Sequence, residues 1–170
     1  MFFATDTSDF WCGRIVARFS PDCASTHAYR SELFEPLIQK LRKSKRYQVG
    51  TKVWADRAFT FDLNGEGVVE SFIAVSCGAT GNCMWAVLAG SPPQEIATIN
   101  ADTIYIHELQ DGSAWSVITA YAREGVTAGV VEQFDRSAAD RSYKSMGVVP
   151  VSWVVHDAFL VGMGSPTCGK

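Results

Sequence analysis

Residues 103–126, TIYIHELQDGSAWSVITAYAREGV, decide how the fold is interpreted. The first part, Thr103–Leu109, is rich in β-branched and aromatic residues and predicts a strand. After the polar turn Gln110–Ser113, apolar residues at helical spacing predict a helix that ends at Gly125: Ala114, Val117, Ile118, Tyr121 and Ala122. The alternation within Trp115–Tyr121 also fits a strand, so both interpretations stay open at this point.

The sequence before this stretch predicts a strand, a helix and a hairpin. Gly13–Phe19 alternates as a strand does, and apolar residues at helical spacing in 33–41 predict a helix in which Pro36 lies in the first turn or marks a kink. Ala58–Leu63 and Val68–Val75 are expected to pair antiparallel, because the intervening Asn-Gly tolerates the positive φ of a tight turn.

The other predicted elements are short. Strands are predicted at Met84–Leu88, Val126–Phe134, Val148–Val155 and Ala158–Met163, and helices at Ser91–Gln94 and Ser137–Met146. We expect the strand that ends at Leu109 and the strand Val126–Phe134 to run parallel, since a helix between two strands of one sheet acts as a crossover.

Composition limits the classes of protein to which the chain can belong. Its 170 residues are 47% apolar and 19% charged, with a formal net charge of −3, which predicts a single domain over 1–170. The slight acidity argues against binding of duplex nucleic acid through phosphate neutralisation. Without the roughly 20 consecutive apolar residues of a membrane span, and without a basic and then apolar N-terminal segment, the chain is expected to be cytoplasmic and not bound to a membrane.

The five cysteines give no zinc-binding pattern, because no C-x-x-C pair occurs. Reduced thiols are the expectation, and no metal site is predicted. Cys77 and Cys83 flank five residues that could form the end of a hairpin, so a disulfide between them stays open.

Two runs within residues 103–163 resemble the GCN5-related N-acetyltransferase superfamily. They are Ala120–Val126, AYAREGV, and Ala139–Val148, ADRSYKSMGV, which is similar to the family pattern A-x-x-x-Y-x-x-x-G-F with Val148 in place of the aromatic residue. The order of predicted elements is also similar. The resemblance implies an α+β fold with a mixed, mostly antiparallel central sheet and flanking helices.

The resemblance further implies acetyl-CoA as a cosubstrate. Backbone N–H groups at the start of a helix have no intrahelical partner and favour a pyrophosphate. The residues that would form this binding turn are Leu109, Gln110, Gly112, Ser113 and Ala114. The family pattern Q/R-x-x-G-x-G/A is one residue longer than this turn, and Asp111 adds a carboxylate that would repel the diphosphate.

Two side chains are the candidate catalytic groups. Tyr143 aligns with the tyrosine that, in the family, protonates the leaving thiolate. Glu108 follows the strand that resembles the family's central one and is the candidate base for the acceptor amine. His107 precedes it, and neighbours on a strand point to opposite faces, so only one of the two can face the substrate.

Two functions follow from these observations. The first is acyl-CoA-dependent N-acyltransfer, with acetyl passed to an amine-bearing acceptor. The second is a non-catalytic α+β interaction protein, such as a neutralising, immunity-type or assembly partner of bacterial or phage origin, with a protein partner or a homodimer both open. Fold alone does not separate the two hypotheses.

Overall fold

Strands make up most of the chain in the computed structural model, which describes residues 15–20, 31–44, 57–137 and 139–152. Within these residues there is one helix, α1 (Ser31–Lys43). The strands are β1 (Ile15–Phe19), β2 (Ala58–Phe61), β3 (Glu70–Cys77), β4 (Cys83–Ala89), β5 (Gln94–Ala101), β6 (Thr103–His107), β7 (Ile118–Arg123), β8 (Ala128–Asp135) and β9 (Lys144–Ser152).

The strands form two sheets in which all paired neighbours are antiparallel. One sheet has five strands in the order β1-β6-β7-β8-β9, and the other has four in the order β2-β3-β4-β5. The chain passes from the second sheet to the first at Asp102, between β5 and β6, where the N–H of Asp102 donates to the carbonyl of Tyr121 at 2.8 Å. A single residue therefore joins the two sheets.

The main core lies between the two sheets. Phe19 of β1 stacks on Phe59 of β2 with ring centroids 3.6 Å apart, and Phe59 stacks in turn on Phe72 of β3 at 4.4 Å. Trp85 of β4 packs in the same layer, where it is fully buried. Contacts between rings from the two sheets hold the sheets face to face.

The four-stranded sheet is also covered on its other face, by α1. Ile38 and its helical neighbours pack against Ile73 of β3 and Ala86 of β4. Because β3 and β4 are buried on both faces, they consist of nearly continuous apolar runs instead of alternating ones.

The helix predicted after Gln110–Ser113 is wrong, and the strand alternative is the correct one. β7 pairs with β6 as a hairpin, with Thr103 opposite Tyr121. Ile118 and Ala120 enter the core between the sheets, whereas Tyr121 packs on the opposite face of the same sheet. A strand buried on both faces is apolar at nearly every position, so helical spacing also matches it.

The helix predicted at Ser137–Met146 is also wrong, because a turn precedes β9, which begins at Lys144. Tyr143 is buried and Met146 is 64% exposed, so these two residues do not share one face. The brief helix predicted at Ser91–Gln94 is wrong as well, because 91–93 form a turn and Gln94 is the first residue of β5.

The α+β fold that the acetyltransferase resemblance implies is therefore wrong for this chain. β6 and β8 are not joined by a crossover helix, because β7 lies between them and pairs antiparallel with both. The structure is mostly β, with two antiparallel sheets and, in its described ranges, a single helix that covers one of them.

Several predictions that depend on local sequence are confirmed. β1, β4, β6, β8 and β9 overlap predicted strands, and the antiparallel pairing of β2 with β3 is as predicted. The two strands are joined by the loop 62–69 and not by a tight turn at Asn-Gly. The predicted helix is present as α1, but it begins at Ser31, so Pro36 lies inside it and not in its first turn. The expectation of reduced thiols is wrong for Cys77 and Cys83, which are partners in the β3–β4 register and form the disulfide that the sequence left open. The predicted strand Ala158–Met163 lies outside the described residues.

The side chain of Tyr121 lies against the backbone of Gly129 in β8, so a substitution at Gly129 tests the packing of the five-stranded sheet. A Cβ at this position would lie 2.5 Å from Cε2 of Tyr121 and 2.7 Å from the carbonyl oxygen of Ala122. We expect Gly129→Ala to lower the free energy of unfolding by about 1–3 kcal/mol, the usual cost of overpacking. Urea denaturation would measure the change.

Gly78→Ala is the matched control, because the nearest atoms to its added Cβ are at 3.8 Å and its φ is not positive. Equal destabilisation by the two variants would contradict the predicted clash at Gly129.

Candidate functional site

The predicted cofactor residues lie in an exposed loop between β6 and β7. Glu108, Leu109, Gln110, Gly112, Ser113 and Ala114 are all in this loop, and all are exposed. The N–H of Ser113 donates to the carbonyl of Gln110 at 2.9 Å, which closes a turn. Glu108 makes no hydrogen bond or ion pair with any described residue.

This loop does not fit the pyrophosphate of coenzyme A in the way that the resemblance implies. The strand β7 follows it, so the loop lacks the row of parallel, unpartnered N–H groups that a helix start provides. The carboxylate of Asp111 remains in the turn, and the N–H of Ser113 is already used. No catalytic step through acetyl-CoA follows from this geometry.

Tyr143 is a buried packing residue. Its hydroxyl donates to the carbonyl of Ser116 at 2.7 Å, and its ring meets that of Trp115 edge to face at 6.4 Å. Burial raises the pKa of the phenol, so it stays protonated as a hydrogen-bond donor. The structure groups Tyr143 with Trp115 and gives it no contact with Glu108.

A groove of about 720 Å³ lies at one end of the two sheets and is the candidate binding site. Connections β2–β3, β4–β5, β6–β7 and β8–β9 all contribute to it. Its lining residues are Asn64, Glu66, Val68, Glu70, Ala89, Gly90, Ser91, Pro92, Gln94, Ile96, Trp115, Arg136 and Arg141. Binding residues on loops that a rigid sheet positions are a common arrangement.

The β2–β3 wall of the groove is fixed by the carboxylate of Asp62. One oxygen accepts from the N–H of Gly65 at 2.8 Å, and the other accepts from the N–H of Gly67 at 2.7 Å. Both glycines have positive φ values, 72° and 80°. The Asp62 carboxylate therefore holds the shape of the loop, which presents Asn64 and Glu66 to the groove.

Glu70 is a carboxyl group buried at the base of this wall, with 2% of its surface exposed. It accepts a hydrogen bond from the N–H of Leu63 at 2.8 Å. Burial raises its pKa, the charge of Asp62 adds to this effect, and the hydrogen bond opposes it. The carbonyl of Leu63 accepts from the N–H of Ser116 at 2.7 Å, which ties the β2–β3 loop to the β6–β7 loop.

Arg136 forms the opposite wall by stacking on Trp115. Its guanidinium carbon lies 3.7 Å from the centre of the indole ring, a cation–π contact. Nε donates to the carbonyl of Asp140 at 3.3 Å and Nη2 to that of Arg141 at 3.4 Å. The carboxylate of Asp140 is occupied by Lys144 at 2.8 Å. Arg136 thus holds the β8–β9 loop in place over the indole.

Two charges on the groove remain unpaired. Glu66 and Arg141 are both exposed, and neither side chain makes a hydrogen bond or ion pair with another described residue. Because they lie on different walls, the groove carries a negative charge on the β2–β3 side and a positive charge on the β8–β9 side.

Sequence reasoning missed this groove almost entirely. Trp115 and Arg136 are 21 positions apart, so no local spacing relates them. The Asn-Gly turn was recognised, but only as a hairpin signal. The sequence offers one hint, which is that Glu66 and Arg136 lie close to the ends of predicted strands, where binding loops usually occur.

Comparison with protein-family models, with curated proteins and with solved structures finds no match to this chain. Within the described ranges, no group of three His, Cys, Asp or Glu residues is arranged to hold a metal ion. No described helix is long and apolar enough to cross a membrane.

Replacing Tyr143 with Phe tests whether the hydroxyl is structural. The substitution keeps the ring against Trp115 but leaves the carbonyl of the buried Ser116 without its donor. We expect the free energy of unfolding in urea to fall by about 1–3 kcal/mol. Ser137→Ala, which removes an exposed hydroxyl that donates to Asp140, is the control and should change it far less. Equal effects would contradict a structural role for the phenol.

The raised pKa of Glu70 predicts a pH dependence of stability. The native state holds this proton more tightly than the unfolded chain, so the contribution of protonated Glu70 is complete at low pH and is lost as the pH rises through the raised pKa. Glu70→Gln keeps an acceptor for Leu63 N–H and does not ionise. We expect the wild type to lose stability relative to Glu70→Gln between about pH 4 and neutrality.

Denaturation of both proteins across this range would measure the difference. Glu66→Gln removes an exposed carboxylate from the same loop and is the matched control. The prediction is wrong if the wild type loses no more stability relative to Glu70→Gln than relative to Glu66→Gln.

Proposed function

We propose that this protein is a non-catalytic interaction module that binds a segment of a partner polypeptide in the groove at the loop end of its two sheets. The observation that carries this proposal is the convergence of four loops on one groove, where Arg136 is fixed on Trp115 at 3.7 Å. Each loop continues directly into buried strands, so the walls of the groove are held before a partner arrives. Such preorganisation lowers the entropic cost of binding.

The chemistry of the groove favours a peptide over a uniformly charged ligand. Val68 and the neighbouring Val69 are 60% and 53% exposed at its rim, and Pro92 and Ala89 add apolar surface. Apolar surface rimmed by polar groups is typical of protein interaction sites.

The unpaired charges of Glu66 and Arg141 determine which groups of the partner segment we expect on each wall of the groove. A carboxylate of the partner fits beside Arg141, because a guanidinium donates two parallel hydrogen bonds to a carboxylate. A cationic or amide group fits beside Glu66, on the opposite wall. The expected ligand is therefore an extended segment with an apolar residue between groups of opposite character.

Acetyl transfer from acetyl-CoA is still an untested prediction, but the elements that suggested it are different in the structure. The turn at Gln110–Ala114 leads into a strand, and the hydroxyl of Tyr143 donates a hydrogen bond to a backbone carbonyl. The interaction module needs neither element, so it is the function that we favour.

Selection of short random peptides displayed on phage against the immobilised chain provides the test. We expect the selected peptides to share an acidic residue next to an apolar one. Calorimetry with one synthetic peptide should then show that Arg141→Glu weakens binding at least tenfold, which is about 1.4 kcal/mol. Val68→Asp should weaken it as well.

Val126→Asp is the control, because Val126 is 95% exposed in the β7–β8 turn, away from the groove-lining residues. It places a new carboxylate on the surface and should leave binding unchanged. The proposal is overturned if no peptide is enriched above the bare support. It is also overturned if Val126→Asp weakens binding as much as Arg141→Glu does.

A further inference from the structure

We propose that the Cys77–Cys83 disulfide is a thiol-exchange site, attacked at Cys77 and released at Cys83. The inference is independent of the proposed function, since neither cysteine lines the groove. The disulfide joins the last residue of β3 to the first residue of β4 and so closes a hairpin loop of five residues, 78–82.

The two sulfur atoms differ in access. Cys83 has no exposed surface and belongs to the core between the sheets, whereas Cys77 is half-buried at the edge of that core. An attacking thiolate must reach a sulfur in line with the bond that it breaks, and access selects which sulfur is attacked. The geometry therefore directs the attack to Cys77.

Arg57 favours departure of the other sulfur. Its Nη1 donates to Sγ of Cys83 at 3.2 Å, so the negative charge that develops there is met by a guanidinium. A nearby cation stabilises a thiolate, and a better leaving thiolate speeds exchange. Without this contact, a thiolate at a fully buried position would be strongly disfavoured.

The complete reaction requires a dithiol reductant. One of its thiolates attacks Sγ of Cys77, a mixed disulfide forms, and Cys83 leaves as a thiolate. The second thiol of the reductant is then deprotonated and attacks the reductant's first sulfur, which is the one bound to Cys77 in the mixed disulfide. This step releases Cys77 as a thiolate. The reductant loses two electrons and two protons, which reduce the protein disulfide to two thiols.

Opening of the disulfide would release a contact between the two sheets. The side chain of Asn82, in the closed loop, accepts from the N–H of Arg123 at 2.8 Å and donates to its carbonyl at 2.9 Å. Arg123 is the last residue of β7, in the other sheet. Its N–H therefore reports whether the loop 78–82 stays docked.

The first experiment measures the rate at which dithiothreitol reduces the disulfide. The free thiols are alkylated at successive times and detected by mass spectrometry. We expect Arg57→Gln to slow reduction about threefold to tenfold and Arg57→Lys, which keeps the positive charge, to slow it less. Mass analysis of the mixed species, trapped with a monothiol, should place the adduct on Cys77. Equal rates in wild type and Arg57→Gln, or an adduct on Cys83, would overturn the proposal.

The second experiment measures amide hydrogen exchange by NMR in the oxidised and the reduced protein. Exchange at Arg123 should accelerate at least tenfold on reduction, while the N–H of Asp102, which donates to Tyr121, should stay protected. Cys77→Ser/Cys83→Ser should behave as the reduced protein does. Two free thiols in protein purified without reductant, or unchanged exchange at Arg123, would overturn the proposal.

Discussion

The fold depends on one apolar layer that two sheets share. Phe19, Phe59 and Phe72 stack in sequence across the junction, and Trp85 packs beside them with no exposed surface. Since each sheet contributes to the same layer, neither can bury its apolar face alone. The single residue between β5 and β6 keeps the sheets adjacent in the chain, and α1 covers the outer face of the four-stranded sheet.

This layer also explains where the groove lies. Antiparallel strands place successive connections at alternate ends of a sheet, so every second loop comes to the same end. Backbone bonds then join the loops, as between Ser116 and Leu63 and between Tyr143 and Ile96. The buried groups Glu70 and Tyr143 are used in holding these loops, so the exposed charges of Glu66 and Arg141 are the groups available for the proposed binding of a partner.

The sequence patterns that predicted elements correctly share one physical reason, and those that predicted elements wrongly share another. β1 alternates between buried and less buried residues, and Gly65 and Gly67 adopt the positive φ that the loop between β2 and β3 needs, so local sequence suffices for both. β7 is buried on both faces, which removes alternation and allows a helical pattern to fit equally well. Only the pairing of β7 with β6 and with β8 distinguishes the two. Local sequence could not predict the groove for the same reason, because Arg136 contacts Trp115 only once the sheets have formed.

The two ends of the molecule are joined by the same pair of strands. β3 begins at Glu70 in the groove and ends at Cys77, while β4 begins at Cys83 and ends at Ala89 in the groove. Both strands are packed on two faces, so loosening the loop at one end cannot shift them without breaking the core. The proposed thiol exchange and the proposed peptide binding should therefore act independently, and a reduced protein should keep an intact groove.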